Sequence, residues 1–260
     1  MRQNRILQLL NENRQAPRRF GIEASTEGDE VTLYLYDVIV SDDYWGGVSA
    51  TSFVKELAGI TAGTIHLRIN SPGGDVFGAR AMEAAIRGHS ARVVAHIDGL
   101  AASAASFLAM AADEIEIADG GFFMIHKAWT IGVGNADDMR GQADLLDKID
   151  SSLVNTYAKR TGKDAEEIAA WMAAETWFNS EEALSNGFAD RLAQPAEKAQ
   201  ASAWNLGAYA NAPAPGAPRA NAEPSSAPPV VNEPEAPREP ARAAPDFAAM
   251  KRRLDLQQRI

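Results

Sequence analysis

The sequence predicts an α/β fold with a mainly parallel sheet, and three observations support this prediction. Short apolar runs rich in β-branched and aromatic residues recur along the chain and are typical of strands. They alternate with segments whose apolar residues follow helical spacing. Glycine-rich turns separate the two kinds of segment, and this alternation favours parallel strands joined by helices. The 260 residues are enough to bury a core without disulfides or metal ions.

The individual elements can be placed from these patterns. Strands are predicted at residues 31–36, 65–69, 93–97, 115–117, 122–125 and 177–178, with a turn at Gly99 after the third. Helices are predicted at residues 49–57, 79–86, 103–112 and 136–160. Two more helices are each expected to open with a capping box, Asp164 with Glu167 and Asn179 with Glu182.

Composition divides the chain into a body and two flanking parts. Residues 1–20 are basic and predict a short amphipathic helix or a mobile arm, and residues 21–194 predict one globular domain. Eleven of the 13 prolines lie at or after Pro195, so residues 195–245 predict a disordered Pro/Ala-rich linker. Residues 246–260 predict a short basic amphipathic helix.

Charge and composition exclude several classes of function. The net charge of −10 argues against a nucleic-acid partner, which would require a basic face. The sequence has no cysteine, so thiol catalysis and disulfides are excluded. No apolar run approaches the roughly 20 residues of a membrane span, and the N-terminus is a poor signal peptide. We expect a cytoplasmic protein with no metal and no cofactor.

One serine is the leading candidate nucleophile. Ser103 stands at a predicted passage from strand to helix, between alanines that leave its hydroxyl open to a bulky carbonyl. A serine at such a position is more commonly a helix N-cap. The catalytic interpretation therefore depends on its partners.

Those partners are found in three other segments. His126 ends an apolar run and is a candidate general base, while Lys127 is a rival base for a Ser–Lys dyad. Gly73 and Gly74 form a turn whose backbone N–H groups can approach an oxyanion, although most such pairs only permit a positive-φ turn. Among the available acids, Glu175 is notable because it lies between apolar segments. Other available acids are Asp113, Asp119, Asp137, Asp138 and Asp190.

Taken together, these segments resemble the proteolytic subunit of the Clp protease, and within it the Clp-like proteases of phages and prophages. Gly74, Ser103, His126 and Glu175 are separated by 29, 23 and 49 residues, intervals similar to those of the family. The resemblance runs from about Val31 to Leu192. Its carriers are residues 69–75, 99–103, 124–126, 177–178, 182–183 and 187–190.

The resemblance implies a role for each matched position. It makes Ser103 the nucleophile, His126 the general base, and Gly74 and Ala104 the donors of the oxyanion-hole N–H groups. Pro72 and Gly73 belong to the turn that meets the substrate strand. Glu175 falls where the family has aspartate, so its role as the third member involves a longer side chain.

The resemblance also implies fold, assembly and substrate. The fold is the one shared with crotonases, built from repeated β-β-α units, with residues 136–160 as a projecting helix. A homo-oligomeric ring, as a heptamer or double heptamer, would enclose serine endopeptidase sites. The phage branch implies capsid or scaffold protein as substrate during head maturation in the host cytoplasm or procapsid, with a tail that binds capsid or is self-removed.

Three alternatives remain open at this stage. The first is a housekeeping subunit that works with an ATPase unfoldase, although the basic arm does not resemble the axial segment that meets the ATPase. The second is a non-catalytic capsid-assembly module. The third is a crotonase-like acyl-CoA enzyme, which would need the two oxyanion amides but no Ser–His pair.

Overall fold

The computed structural model describes residues 4–24, 29–193 and 204–213. The predicted helix at 246–260 lies outside the described residues, as do residues 195–203 and 214–245 of the predicted linker. All the contacts reported below are made within the described ranges.

The centre of the fold is an eight-stranded sheet. Its strands are β1 (Arg19–Ala24), β2 (Glu30–Tyr36), β5 (Thr64–Ser71), β6 (Arg92–Ala102), β7 (Glu114–Ile117), β8 (Phe122–Ile125), β9 (Thr176–Asn179) and β10 (Arg191–Leu192). The main order is β1-β2-β5-β6-β7-β10, while β8 pairs with β6 and β9 pairs with β8. The pairs β1–β2 and β8–β9 are antiparallel and the others are parallel, so the predicted mainly parallel α/β fold is confirmed. Strands β3 (Ile39–Val40) and β4 (Val48–Ser49) form a separate parallel pair.

Strand β6 is long because it pairs on the same edge with two strands in succession, β7 and then β8. Its first half pairs with β7 through Val94–Ile97, and its second half pairs with β8 through Leu100–Ala102. The turn predicted at Gly99 is therefore wrong: the strand continues through this glycine to Ala102. This extension carries the chain to Ser103 beside the end of β8.

Seven α-helices surround the sheet in the described part of the chain. They are α1 (Arg5–Glu12), α2 (Ala50–Ala58), α3 (Val76–Gly88), α4 (Ala104–Ala109), α5 (Ala136–Thr161), α6 (Ala165–Ala173) and α7 (Ser180–Ser185). The capping box of Asn179 with Glu182 is confirmed. The box predicted for Asp164 is wrong, because its side chain makes no capping hydrogen bond.

Two hydrophobic clusters hold these elements together. The larger one lies between the sheet and helices α2–α7, with Phe53, Phe107 and Tyr157 among its largest buried side chains. The second cluster packs α1 and residues 204–212 against β6 and β8. Its buried members are Leu9, Leu10, Val38, Val40, Leu100, Ala102, Met124, Trp204, Ala208 and Tyr209.

The second cluster changes the interpretation of both flanking parts. Of the two forms predicted for residues 1–20, the described part takes the helical one, with Leu9 and Leu10 buried. The Asn13 side chain then joins α1 to residues 204–213. It donates to the Asn205 carbonyl (3.0 Å) and accepts from the Asn205 N–H (2.7 Å). The prediction of a structureless linker from residue 195 is therefore wrong for residues 204–213. In this range Trp204, Ala208 and Tyr209 are buried in the second cluster.

Helix α5 extends beyond the body. Only Leu153 and Tyr157 of its 26 residues are buried, both near its C-terminal end. A capping box at Asn135 with Asp138 begins the helix, and Gly162 in the left-handed region ends it. No helix in the described ranges is long and apolar enough to cross a membrane.

Candidate active site

Ser103 occupies a strained turn between β6 and α4. Its φ of +54° is in a region that non-glycine residues rarely adopt, at a cost of roughly 1–3 kcal/mol. The side chain makes no N-capping hydrogen bond, so the structure disfavours the ordinary N-cap role. A sharp strand-to-helix turn that exposes a serine hydroxyl is the device that serine hydrolases use to present a nucleophile.

The hydroxyl of Ser103 faces His126. Strand β8 pairs with the end of β6, and the Ser103 N–H donates to the carbonyl of Met124 (2.9 Å), which fixes the two residues side by side. Ser103 Oγ lies 2.6 Å from His126 Nε2. When Nε2 is unprotonated the hydroxyl donates to it, which is the geometry needed for general-base activation.

His126 is in the protonation state that a general base requires. Only 7% of the residue is exposed. Burial, together with the positive charge of Arg5, lowers the pKa of His126 to about 4. The imidazole is therefore neutral at pH 7 and free to accept the serine proton.

The turn at Gly73 and Gly74 packs directly against the start of α4. Their φ values are +86° and +145°, and a Cβ on Gly73 would lie 2.4 Å from the Ala102 carbonyl oxygen and 2.8 Å from the Ala104 nitrogen. A Cβ on Gly74 would lie 1.9 Å from the Ile39 carbonyl oxygen. Close approach of backbone to backbone therefore requires glycine at both positions.

This packing leaves two N–H groups available near the nucleophile. Within the described part of the chain, neither the Gly74 nor the Ala104 N–H has a hydrogen-bond acceptor. The Gly73 N–H is used differently, because it donates to Ser71 Oγ (3.1 Å). The two free donors are those that the sequence resemblance assigned to an oxyanion hole.

Glu175 lies on the other side of His126. Its Oε2 atom is 4.0 Å from His126 Nδ1, which is too long for a hydrogen bond and becomes an ionic contact only when the imidazole is protonated. Glu175 has a φ of +51°, and its Oε1 accepts a hydrogen bond from the Asn211 N–H (2.7 Å). The structure thus brings the predicted third member to the histidine, at a longer distance than an orienting hydrogen bond requires.

The rival residues lie elsewhere. Lys127 Nζ is 4.0 Å from Asp150 on α5 and its side chain is 56% exposed, which removes support for a Ser–Lys dyad. Asp113 and Asp190 accept from the N–H groups of Val93 and Ile115 at strand starts. His66 and His96 contact each other through Nδ1 and Nε2 (2.9 Å) on the polar face of the sheet.

A cavity of about 310 Å³ opens beside the Ser–His pair. Gly74, Ser103, Ala104 and His126 are among the residues that line it. The rest of the lining mixes polar side chains, such as Asn4, Asp75 and Gln142, with apolar ones, one of which comes from the N-terminal helix. The apolar residues include Ile6, Phe107, Trp129, Ile131, Leu146, Ile149 and Leu153. An apolar side chain next to a reacting carbonyl would fit this space.

Sequence reasoning missed three residues at the site. Arg5 acts on His126 through its charge. Tyr209 packs against the His126 ring in a T-shaped arrangement, and Asn211 binds Glu175. A signal was present for Tyr209, because Trp204 and Tyr209 are aromatic residues next to a tract otherwise rich in Pro and Ala.

The fold and the site together define a class. A neutral histidine, a serine hydroxyl within hydrogen-bonding distance and two unused N–H groups form the constellation that serine hydrolases use for nucleophilic acyl transfer. No group of three or more His, Asp or Glu side chains in the described ranges is arranged to hold a metal ion.

Comparison with known sequences places the chain within a family. The sequence model described as "Clp protease" matches residues 49–196. This chain belongs to the Clp protease family, as its motifs predict.

Individual relatives are similar over about half of this chain. The ATP-dependent Clp protease proteolytic subunit-related protein 2, chloroplastic, of Arabidopsis thaliana is 31% identical over 133 residues, 50% of this chain and 48% of that protein. The ATP-dependent Clp protease proteolytic subunit 1 of Protochlamydia amoebophila is 33% identical over 48% of this chain and 62% of its own length. The proteolytic subunit 2 of Tropheryma whipplei is 32% identical over 49% of this chain and 72% of its own length. The chain thus spans about half to three-fifths of the first two.

A solved structure supports the same fold. A point mutant of ClpP1 from Listeria monocytogenes superposes with a TM-score of 0.55 at 20% identity. The match covers 63% of this chain and 91% of that one. The predicted Clp-type fold is therefore confirmed.

Proposed function

We propose that this protein is a serine endopeptidase that hydrolyses peptide bonds through an acyl-enzyme on Ser103. The observation that carries the proposal is the 2.6 Å contact of Ser103 Oγ with the neutral His126 imidazole. Gly74 and Ala104, whose N–H groups have no acceptor within the described residues, line the same cavity as this hydroxyl, and the family membership agrees with this chemistry.

The reaction follows from these positions. His126 Nε2 takes the Ser103 proton as Oγ attacks the scissile carbonyl carbon, and the Gly74 and Ala104 N–H groups bind the resulting oxyanion. The imidazolium then gives its proton to the leaving amine, and the C–N bond breaks to leave an ester on Ser103. Water, deprotonated by the same histidine, attacks the ester, and the carboxylic acid product leaves with Ser103 restored. Glu175 stabilises the imidazolium at 4.0 Å.

Covalent labelling tests the nucleophile. A fluorophosphonate probe is expected to label the wild-type protein at Ser103 and to leave Ser103→Ala unlabelled. Ser151→Ala is the matched control, because Ser151 is an exposed serine on α5 that bonds only its own helix. Equal labelling of Ser103→Ala and wild type would remove Ser103 from the mechanism.

The assembly we propose is a homo-oligomeric ring. The projecting helix α5 supports it, because most of the helix is exposed and apolar side chains lie exposed on it and near its start. These are Ile131, Val133, Met139 and Leu145, and Phe77 on α3 is exposed as well. Mass photometry at micromolar concentration should show a heptamer or double heptamer. A monomer alone would contradict this assembly.

The natural substrate we propose is a phage capsid or scaffold protein. The support comes from the sequence resemblance to phage Clp-like proteases. Incubation with phage capsid and scaffold proteins should give discrete fragments by mass spectrometry, absent with Ser103→Ala. Intact capsid and scaffold proteins, under conditions where a model peptide is cleaved, would refute this substrate.

A second candidate is a proteolytic subunit that depends on an ATPase unfoldase. The names of matched relatives favour it, since those of Protochlamydia amoebophila and Tropheryma whipplei are ATP-dependent Clp protease proteolytic subunits. It predicts that a folded substrate is degraded only when a Clp-type unfoldase and ATP are added. The phage-type proposal predicts cleavage without either.

A further inference from the structure

The described C-terminal segment, residues 204–213, lies against the catalytic residues although it follows them by many positions in sequence. Trp204 anchors it: its buried Nε1–H points at the Asn70 backbone carbonyl and side-chain oxygen, both at 3.2 Å. Asn205 is joined to Asn13 at the end of α1. The start of the segment is therefore held by hydrogen bonds to two parts of the body, Asn70 at the end of β5 and Asn13 after α1.

Tyr209 brings the segment into contact with three parts of the site. Its hydroxyl donates to the Pro72 carbonyl, directly before the turn that presents the Gly74 N–H. Its ring meets His126 edge-on, with ring centres 5.5 Å apart and planes at 79°. Burial raises the pKa of the Tyr209 phenol, opposed by the neighbouring Ser103 hydroxyl, so the Tyr209 hydroxyl stays protonated at neutral pH.

Asn211 reaches the third member of the site. Its backbone N–H donates to Glu175 Oε1 (2.7 Å), and its side-chain Nδ2 donates to the Ala174 carbonyl (2.8 Å). Two hydrogen bonds therefore hold the strained Glu175 turn from outside. They leave Oε2 as the carboxylate oxygen that faces His126.

The segment does not block the site. The cavity beside Ser103 is lined by residues of the body and of the N-terminal helix, and none of residues 204–213 is among them. Ser103 Oγ also keeps its contact with His126. A segment that contacts the nucleophile, base, acid and oxyanion turn, and leaves the cavity open, is placed to support catalysis rather than to inhibit it.

We infer that residues 204–211 are a positioning element for the active site, with Tyr209 as the positioning residue that holds the oxyanion turn and the His126 ring. The inference rests on the proposed peptidase function. Because Tyr209 acts on the turn that binds charge only in the transition state, its loss lowers kcat and leaves KM unchanged.

The test replaces Tyr209 with Phe, which keeps the ring and deletes the hydrogen bond to Pro72. We expect kcat for a model peptide and the rate of fluorophosphonate labelling to fall about tenfold, with KM unchanged. Tyr34→Phe is the matched control: it also deletes one tyrosine hydroxyl, but from a ring that packs against Arg19 and Tyr36 on the polar face of the sheet. It should keep the wild-type rates.

The outcomes separate the two proposals. No labelling of wild-type Ser103 overturns the proposed function and this inference with it. Wild-type labelling together with undiminished kcat and labelling rate in Tyr209→Phe overturns the inference alone. A lower thermal stability of Tyr209→Phe with unchanged kcat would show a purely structural tyrosine and would equally overturn it.

A second pair of variants tests the segment through Glu175. Asn211→Pro deletes the N–H that binds Glu175, while Asn211→Ala keeps this N–H and loses only the side-chain bond to Ala174. We expect a several-fold loss of kcat in Asn211→Pro beyond that in Asn211→Ala. Equal kcat in the two variants would overturn the role of the segment in holding Glu175.

Discussion

Two histidines of this protein have similar surroundings and different partners. His126 Nδ1 lies 4.0 Å from Glu175, and His96 Nδ1 lies 3.7 Å from Glu116. Burial is the main reason that the pKa of each is lowered to about 4. Neither the acid nor the depressed pKa therefore distinguishes the candidate catalytic residue.

The difference lies at the Nε2 atom. His126 Nε2 contacts the hydroxyl of Ser103, whereas His96 Nε2 contacts the ring nitrogen of His66. A hydroxyl can lose a proton and attack a carbonyl, but a second imidazole in a hydrogen-bonded pair on a sheet face has no nucleophile to activate. We therefore expect a perturbed pKa to indicate function only beside a group that can react.

The largest expected effect separates the two histidines directly. His126→Gln should reduce kcat/KM for a peptide substrate by on the order of 10⁴-fold or more, because the serine loses its base. His96→Gln should keep peptidase activity. Assays of peptide hydrolysis with both purified variants measure these two effects. Comparable losses of kcat/KM in the two would show that the Ser103 contact does not distinguish His126 from His96.

The two glutamates give the next contrast. Glu175→Gln should lower kcat by roughly 10- to 100-fold, less than the roughly 10⁴-fold loss for a directly hydrogen-bonded triad aspartate, because the contact is 4.0 Å long. Glu116→Gln, which changes the partner of His96, should leave kcat unchanged. A Glu175→Gln variant with wild-type kcat would show that the acid has no catalytic part.

The pH dependence of activity is a third test. With a His126 pKa of about 4, the base is neutral and active above that pH, so kcat/KM should fall only as the pH drops toward 4. Arg5→Gln removes a charge that lowers this pKa and should move the acid limb to higher pH. Arg14→Gln removes a charge elsewhere on the N-terminal arm and serves as the control.

The smallest expected effect concerns stability. Both imidazoles have a pKa of about 4 in the folded protein and 6.5 in the unfolded chain. Between these two pH values the unfolded chain therefore binds more protons than the folded protein. The free energy of unfolding should therefore fall as the pH falls from 6.5 to 4, by up to about 1.4 kcal/mol per pH unit for each histidine. His96→Gln and His126→Gln should each reduce this slope in denaturant titrations. An unchanged slope in both would show that their burial does not control protonation.

Much of the site could be predicted because its signals are local. Ser103 among alanines, His126 at the end of an apolar run and Gly73–Gly74 after another are short patterns, and strand pairing brings them together as expected. The catalytic and oxyanion-hole roles of these residues stay predictions until they are measured. Strand β1 was not predicted, because charged residues and a glycine interrupt the alternation of its apolar residues. Strand β10 was not predicted either, because it has only two residues and both are exposed.

The residues that sequence reasoning missed depend on contacts between distant parts of the chain. Tyr209 meets a carbonyl 137 residues earlier and Asn211 a carboxylate 36 residues earlier. Composition favoured disorder throughout this tract, and only the positions of its few aromatic residues opposed that prediction. A local pattern can indicate that a tyrosine will be buried, but it does not identify the surface that buries it.

The joint position of Tyr209 beside Ser103 and His126 also has a consequence for synthesis. Ribosomes build the chain from its N-terminus, and Tyr209 is made 83 residues after His126. A nascent chain can therefore fold its sheet and bring serine and histidine together while the element that steadies them is still missing. Full reactivity would then begin only after residues 204–211 have left the ribosome and docked, which would spare neighbouring nascent chains from early cleavage.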